Sequence, residues 1–383
     1  MRAEHQLKTF LRLLKEYPQD TPLTRFLPGF FKQNKQMGST DRRVASRLIY
    51  NYFRLGKACT HLPADQRLFV AEYLCYSGAN PFLQHFRPDL YDTGDLSLTE
   101  KIGMLTEEGF ALDEVFPFTA HLSEEIDKGA FLSSFFIQPD LFIRMHPGKD
   151  NVVQSKLADT AIAYRKIDHD TLSLPNGTRL HEILPEASYQ VQDLSSQRTI
   201  SYFRPQPGDY WWDACAASGG KSLLLFHQQP DIKLLVSDVR ESILNNLDTR
   251  FHQAGLHRFQ KKVLDLTKNT DPDLHHYEFD GIILDAPCSG SGTWGRTPEM
   301  ISQFQERKIP QFQYLQRTIA SNVVKYLKPG KPLIYITCSV FKEENEDVVR
   351  YLVSELGLNL EEQKILSGYT EKADTMFIAR LTR

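Results

Sequence analysis

From Tyr210 onward, short apolar runs alternate with segments of helical period, and this pattern constrains the fold more than any other feature of the chain. Tyr210–Ala214, Ile232–Ser237, Lys262–Leu264, Phe279–Leu284 and Leu333–Thr337 read as strands, with a last pair near Leu358–Leu360 and Thr375–Ala379. Between them, Gly220–His227, Glu241–Ala254, Pro310–Leu327 and Glu343–Leu356 carry helical spacing. Such alternation predicts a doubly wound, mostly parallel sheet over residues 201–383. Upstream, residues 131–200 hold prolines at 139 and 147, a helical run VVQSKLADTAIAYRK and a PNG turn at 175–177. They predict a small α/β domain. Residues 1–130 read as helices, among them GSTDRRVASRLIYNYFR with a candidate N-cap at Ser39 or Thr40.

Charge matters in its distribution. The whole chain carries a formal charge of −3, which excludes an overall polycation. Residues 1–60 nevertheless hold twelve Lys/Arg against Glu4, Glu16, Asp20 and Asp41. A basic amphipathic helix with Arg42 and Arg43 suits a phosphate backbone, and the same pattern also arises as an ordinary solvated face. Five cysteines in 383 residues argue against a disulfide-built secreted fold. The segment MRAEHQLKTFLRLLKEY is charged throughout, unlike a signal peptide, and no apolar run reaches the length of a membrane helix. A cytoplasmic protein without membrane contact is expected.

The strand ends carry the chemistry. The first strand enters the turn Cys215, Ala216, Ala217, Ser218, Gly219, Gly220, Lys221. Its glycines let the backbone approach a ligand. It is neither GxGxxG nor a full GxxxxGK[ST], so an ATP site is not expected. Asp213, Asp238, Asp265 and Asp285 stand at successive strand ends. Singly each reads as a turn cap. Together they predict a polar crevice for a nucleoside-bearing cofactor, since a pyrophosphate would be repelled by so many acids. Cys288, in DAPCSGSGTWGR, and Cys338, in IYITCSVFKEEN, follow the fourth and fifth strands. Neighbouring strand ends converge, so the two thiols are expected to be adjacent. Neither loop contains CxxC or histidine, which argues against a metal. Cys59 and Cys75 read as small buried hydrophobes, and Cys215 as packing beneath the cofactor. Trp294 and Arg296 read either as substrate contacts or as loop packing and a surface charge.

DACAASGGK, ILDAPCSGSG and YITCSVFKEEN resemble the motifs of RNA cytosine-5 methyltransferases of the Nop/Sun (RsmB-like) type, and QDLSSQ at 192–197 resembles the segment before their cofactor-binding strand. The resemblance covers about residues 137–383. GSTDRRVASRLIYNYFR resembles part of the antitermination-factor-like helical domain of many bacterial members. The family implies a Rossmann-like S-adenosylmethionine-dependent methyltransferase fold with a seven-stranded sheet. It implies S-adenosylmethionine in a site formed by Cys215–Lys221, Asp238, Asp265 and Asp285. Asp238 would hold the ribose hydroxyls, and Asp265 would lie near the adenine amine. Cys338 would be the nucleophile, Cys288 would assist product release, and Asp285 would contact cytosine N3 and its amine. Two positions depart from the family: Ser218 stands where proline is usual, and Ile243 where an arginine often occurs, with Arg240 nearby.

The resemblance implies methylation of cytosine C5 in RNA, with 16S rRNA preferred over tRNA and the protein acting as a monomer. A non-catalytic RNA-binding assembly factor is the contrasting reading, against which the two thiols argue. DNA methylation is disfavoured, since those enzymes use the cysteine of the fourth-strand loop.

Overall fold

The computed structural model describes residues 2–107 and 109–383. The chain divides into two units. The first takes the chain up to Ala120, with Asp127–Gln138 and Thr293–Glu306, and the second takes His121–Ile126, Pro139–Gly292 and Arg307–Arg383.

The first unit is helical. Its longest helices are Arg2–Glu16, Leu23–Gln33, Ser39–Arg54 and Ala64–Cys75. Ser39–Arg54 starts one residue earlier than expected: its N-cap is Gly38, whose N–H donates to the Asp41 carboxylate at 3.3 Å. Asp41 thus satisfies an amide at the positive end of the helix. Ala45, Leu48, Ile49 and Phe53 are buried at helical spacing. Arg54, counted among the basic residues above, is buried as well. It donates to Phe135 O at 2.6 Å and Gln138 Oε1 at 2.9 Å. The expected boundary at 130 falls inside helix Lys128–Ser134.

The second unit holds two sheets. The small one is antiparallel, order β2-β3-β1-β4, built from β1 (Leu141–Met145), β2 (Arg165–Lys166), β3 (Thr171–Leu174) and β4 (Tyr189–Val191). The helix expected over VVQSKLADTAIAYRK is Asp150–Ala158. It stops after its last buried residue, Leu157, whose carbonyl accepts from Thr160 Oγ1 at 2.7 Å.

The large sheet contains β5 (Tyr210–Asp213), β6 (Lys233–Asp238), β7 (Gln260–Val263), β8 (Gly281–Asp285), β9 (Pro332–Thr337), β10 (Asn359–Leu366) and β11 (Met376–Thr382), in the order β10-β11-β9-β8-β5-β6-β7. β5 through β9 pair in parallel, and the β10–β11 hairpin joins β9 antiparallel. The order therefore reverses at β5/β8, the place where open sheets of this kind receive ligands. Trp211, Val236, Leu224, Leu247 and Ile336 form part of its buried core.

Candidate active site

β5 delivers the chain into the turn that opens helix Gly220–Gln228. Gly219 is held at φ +79°, and a Cβ there would meet Phe251 Cε1 at 2.3 Å, so the turn admits only glycine. Ser218 is exposed, and its carbonyl accepts from Arg250 Nη1 at 2.6 Å.

The four aspartates do not share one environment. Asp213 is fully buried, which corrects the expectation that it faces a crevice. Its Oδ2 accepts from Ser222 Oγ at 2.6 Å, while Oδ1 has no partner. Burial pushes its carboxyl up to about 7. The folded state therefore keeps a proton that the unfolded chain has already released, and stability falls as pH rises from about 4 through 7. Asp213→Asn should stabilise the protein by about 2 kcal/mol more at pH 8.5 than at pH 5.5. Urea melts of both proteins at the two pH values check this.

Asp238 ends β6 and is occupied by its own neighbourhood. It accepts from Ala217 N at 3.1 Å and from Arg240 N and Nε at 2.9 and 3.0 Å. Burial raises its pKa, but the Arg240 hydrogen bonds outweigh this and hold the carboxyl below its ordinary value. Arg240 thus makes the contact to the strand-end acid. Asp265 caps its own turn: Oδ1 accepts from Thr267 Oγ1 at 2.6 Å and Thr267 N at 3.1 Å, and Oδ2 pairs with Lys268 at 3.0 Å. Asp285 ends β8, half-buried, and pairs with Lys221 Nζ at 2.9 Å. The Lys221 ammonium also donates to Ser196 Oγ at 2.9 Å. The Lys221–Ser196 bond ties the 192–197 segment to the turn, a link that sequence spacing does not reveal.

The two thiols meet. Cys288 Sγ lies 3.3 Å from Cys338 Sγ, although 50 residues separate them, because β8 and β9 are neighbours in the sheet. The hydrogen bond to Cys338 and burial push the Cys288 thiol well above its ordinary value. Burial likewise raises Cys215, followed by the charges of Asp213, Asp285 and Asp238. Cys215 is thus held as a neutral thiol. Cys59 is 4% exposed, and burial pushes Cys75 up to about 12.

A carboxylate absent from the sequence reading fixes the pair. Glu344 is fully buried. Its Oε2 accepts from Ser289 N and from Gln316 Nε2, both at 2.9 Å, and its Oε1 accepts from Ser339 Oγ at 2.7 Å. Ser289 and Ser339 each adjoin one of the cysteines, so one side chain clamps both loops. The loops also join through Gly292 N to Cys338 O at 2.9 Å. A Cβ at Gly292 would meet Thr375 O at 2.0 Å. The EEN run of the motif was the available signal, but nothing in its spacing points to the cysteine loops.

The proposed RNA contacts divide. Trp294 is 1% exposed and packs in the first unit against Phe304, Phe116 and Phe118 at ring-centroid distances of 5.0, 5.7 and 6.1 Å. This corrects the reading of Trp294 as a stacking residue: its aromatic neighbours outcompete solvent for the indole. Arg296 is half-buried. Arg42 is half-buried with Nε donating to Met37 O at 2.9 Å, and Arg43 is exposed. Among the described residues no group of three or more His, Cys, Asp or Glu has the geometry to hold a metal ion.

The family described as 16S rRNA methyltransferase RsmB/F matches residues 200–382. This stretch belongs to the Nop/Sun-type methyltransferase family. The chain is 34% identical over 197 residues to the ribosomal RNA small subunit methyltransferase B of Shewanella oneidensis. That match covers 51% of this chain and 45% of the relative, so it spans less than half of the relative's length. Among solved structures, PH0851 matches with a TM-score of 0.65 at 21% identity, covering 92% of this chain and 93% of that one. A methyltransferase homolog protein from Pyrococcus horikoshii matches with a TM-score of 0.58 at 21% identity, covering 75% and 100%. These structural likenesses are likenesses of fold. The seven-stranded sheet is that of S-adenosylmethionine-dependent methyltransferases. The donor set in this Nop/Sun domain fits that cofactor: a glycine turn at the β5 end and the carboxylates of Asp238 and Asp285 suit neutral hydroxyls and a cationic sulfonium, and would repel a pyrophosphate.

Proposed function

We propose that the chain methylates C5 of a cytosine in RNA, most readily 16S rRNA, with Cys338 as nucleophile and Cys288 as the group that frees the product. The observation that carries this reading is the 3.3 Å approach of the two sulfurs at adjoining strand ends, with Cys288 three residues beyond Asp285.

Cytosine C5 is too weakly nucleophilic to take a methyl group unaided. When bound, S-adenosylmethionine supplies an electrophilic methyl group on sulfonium. Cys338 Sγ adds to C6, which places electron density on C5. Asp285 accepts from the exocyclic amine and protonated N3, and the neighbouring Lys221 charge holds its carboxylate in place. After transfer, the C5 proton leaves to a base at Cys288, directly or through water, and the C6–S bond breaks. The raised Cys288 thiol supports this division: a thiol of higher pKa is, once ionised, the stronger base toward the C5 proton. The target base has to leave its stack to reach two half-buried thiols. Exposed Arg2, Lys8, Arg25, Lys32, Lys35 and Arg43 in the first unit support a polyanionic substrate.

The test exposes the protein to methyl-labelled S-adenosylmethionine with 16S rRNA and with bulk tRNA, followed by nucleoside analysis. 5-Methylcytidine in the rRNA arm is expected. Product confined to the tRNA arm would move the substrate, and no labelled cytidine in either arm would refute the reading.

A further inference from the structure

The two thiols that the proposed methyl transfer uses are also placed to react with each other. β8 and β9 pair in parallel with Asp285 opposite Ile336. Cys288 follows three residues after the first of these, and Cys338 two residues after the second. Adjoining strands lie about 4.8 Å apart, inside the Cα separation of about 4.4–6.8 Å that a disulfide spans. Past the strand ends the two loops stay together. Ala286 N donates to Ile336 O and Gly292 N to Cys338 O, both at 2.9 Å. Glu344 accepts from Ser289 N on one loop and Ser339 Oγ on the other. The sulfurs are therefore held in contact at 3.3 Å, and a bond of about 2.05 Å requires them to close by only about 1 Å.

Contact is useful only if an oxidant can reach the pair. Both cysteines are half-buried rather than sealed. The other three are poorer targets. Cys59 is 4% exposed. Burial pushes the thiols of Cys75 and Cys215 up, so both stay protonated at neutral pH and react slowly.

From this geometry we infer that Cys288 and Cys338 form a reversible redox switch: a small-molecule disulfide such as oxidised glutathione joins them in an intramolecular disulfide that shuts the site. The raised Cys288 thiol leaves the first attack to Cys338. Cys338 Sγ, as thiolate, attacks one sulfur of oxidised glutathione, the glutathione S–S bond breaks, and one glutathione leaves as thiolate. Cys288 then gives its proton to water and attacks Cys338 Sγ. The mixed disulfide breaks and the second glutathione leaves. Two cysteine thiols lose two electrons in all, and one oxidised glutathione becomes two reduced ones. The second step is intramolecular, so the neighbouring sulfur outcompetes thiols in solution. A half-exposed disulfide is also open to an external thiol, which reverses both steps, and labile bonds of this kind are the regulatory ones.

In the disulfide neither sulfur can add to C6 or take the C5 proton. Loss of methyl transfer on oxidation rests on the reading above, and formation of the disulfide does not.

The full chain is equilibrated with oxidised glutathione, its remaining thiols are capped with iodoacetamide, and the unreduced digest is read by mass spectrometry. A cross-linked pair of peptides carrying Cys288 and Cys338 is expected, and dithiothreitol should return both as capped thiols. Cys288→Ser should stop at a glutathione adduct on Cys338. Methyl transfer by the wild type should fall about tenfold or more on oxidation and recover with dithiothreitol. Oxidised wild type in which Cys288 and Cys338 remain free, carry separate glutathiones or pair with other cysteines overturns the switch. A cross-link between them with undiminished methyl transfer overturns it as well. If the reduced protein methylates no RNA, the reading above fails, and the cross-link by itself decides whether the redox pair exists.

Discussion

Cys338→Ser lowers methyl transfer by on the order of 10⁴-fold or more and yields no covalent protein–RNA complex, while Cys288→Ser accumulates one. The asymmetry follows from the roles. A serine hydroxyl at 338 is a far weaker nucleophile at neutral pH than a thiolate, so nothing adds to C6 and C5 stays inert. A serine at 288 leaves that addition intact but removes the group beside C5 that the elimination step needs. Methyl transfer in a single turnover should survive, and release should fail. Denaturing gels of each variant incubated with substrate RNA and S-adenosylmethionine report the complex directly. A gel-stable complex with Cys338→Ser and none with Cys288→Ser would exchange the two assignments. The 3.3 Å separation of the sulfurs makes either outcome interpretable, because both thiols can reach one base.

Glu344→Ala should be the most damaging substitution outside the thiols. It strands the Ser289 N–H and leaves Gln316 Nε2 only Pro287 O, and the Ser339 hydroxyl only the Ser289 and Ser291 hydroxyls, as partners. Leaving a buried donor unsatisfied costs about 1–3 kcal/mol, so a loss of about 2 kcal/mol or more in urea melts is expected. Glu344→Gln distinguishes a positioning role from a purely structural one. It keeps the volume and part of the acceptor set, so the fold should persist, but its amide opposes a donor and shifts the loops. A displacement near 1 Å at reacting groups is worth about 10²-fold in rate. The expected signature is a fall of that size in kcat with KM for RNA unchanged. A glutamine variant with wild-type kcat and reduced stability would make Glu344 a structural residue only.

How much of this was legible beforehand depended on the range of the interaction. The ends of β5 to β9 fell within one or two residues of their true positions, because each apolar run is followed by a polar or small residue where the pleat meets solvent, whereas β10, expected near Leu358–Leu360, runs on to Leu366 through the polar residues Glu361–Lys364. The nearness of Cys288 and Cys338 was legible from topology, since β8 and β9 adjoin whenever the sheet is doubly wound. Side-chain environment was not. Asp213 and Asp285 look alike in the sequence, yet one turns beneath the helix to Ser222 and the other out to Lys221. Trp294 sits among glycines, a context that signals an open loop, but Phe116, Phe118 and Phe304 converge on it from distant parts of the sequence. Glu344 was silent for the same reason: its partners lie 55, 28 and 5 residues away. No local period encodes such a set.

The central claim is that one thiol attacks and the other releases. Protease and nuclease digestion of the complex trapped by Cys288→Ser, followed by mass spectrometry of the cross-linked peptide, tests it most directly. A methylated cytidine attached to the peptide that contains Cys338 is the predicted product. Attachment at any other residue, or a peptide carrying no nucleoside at all, would contradict the assignment of Cys338 as the attacking group.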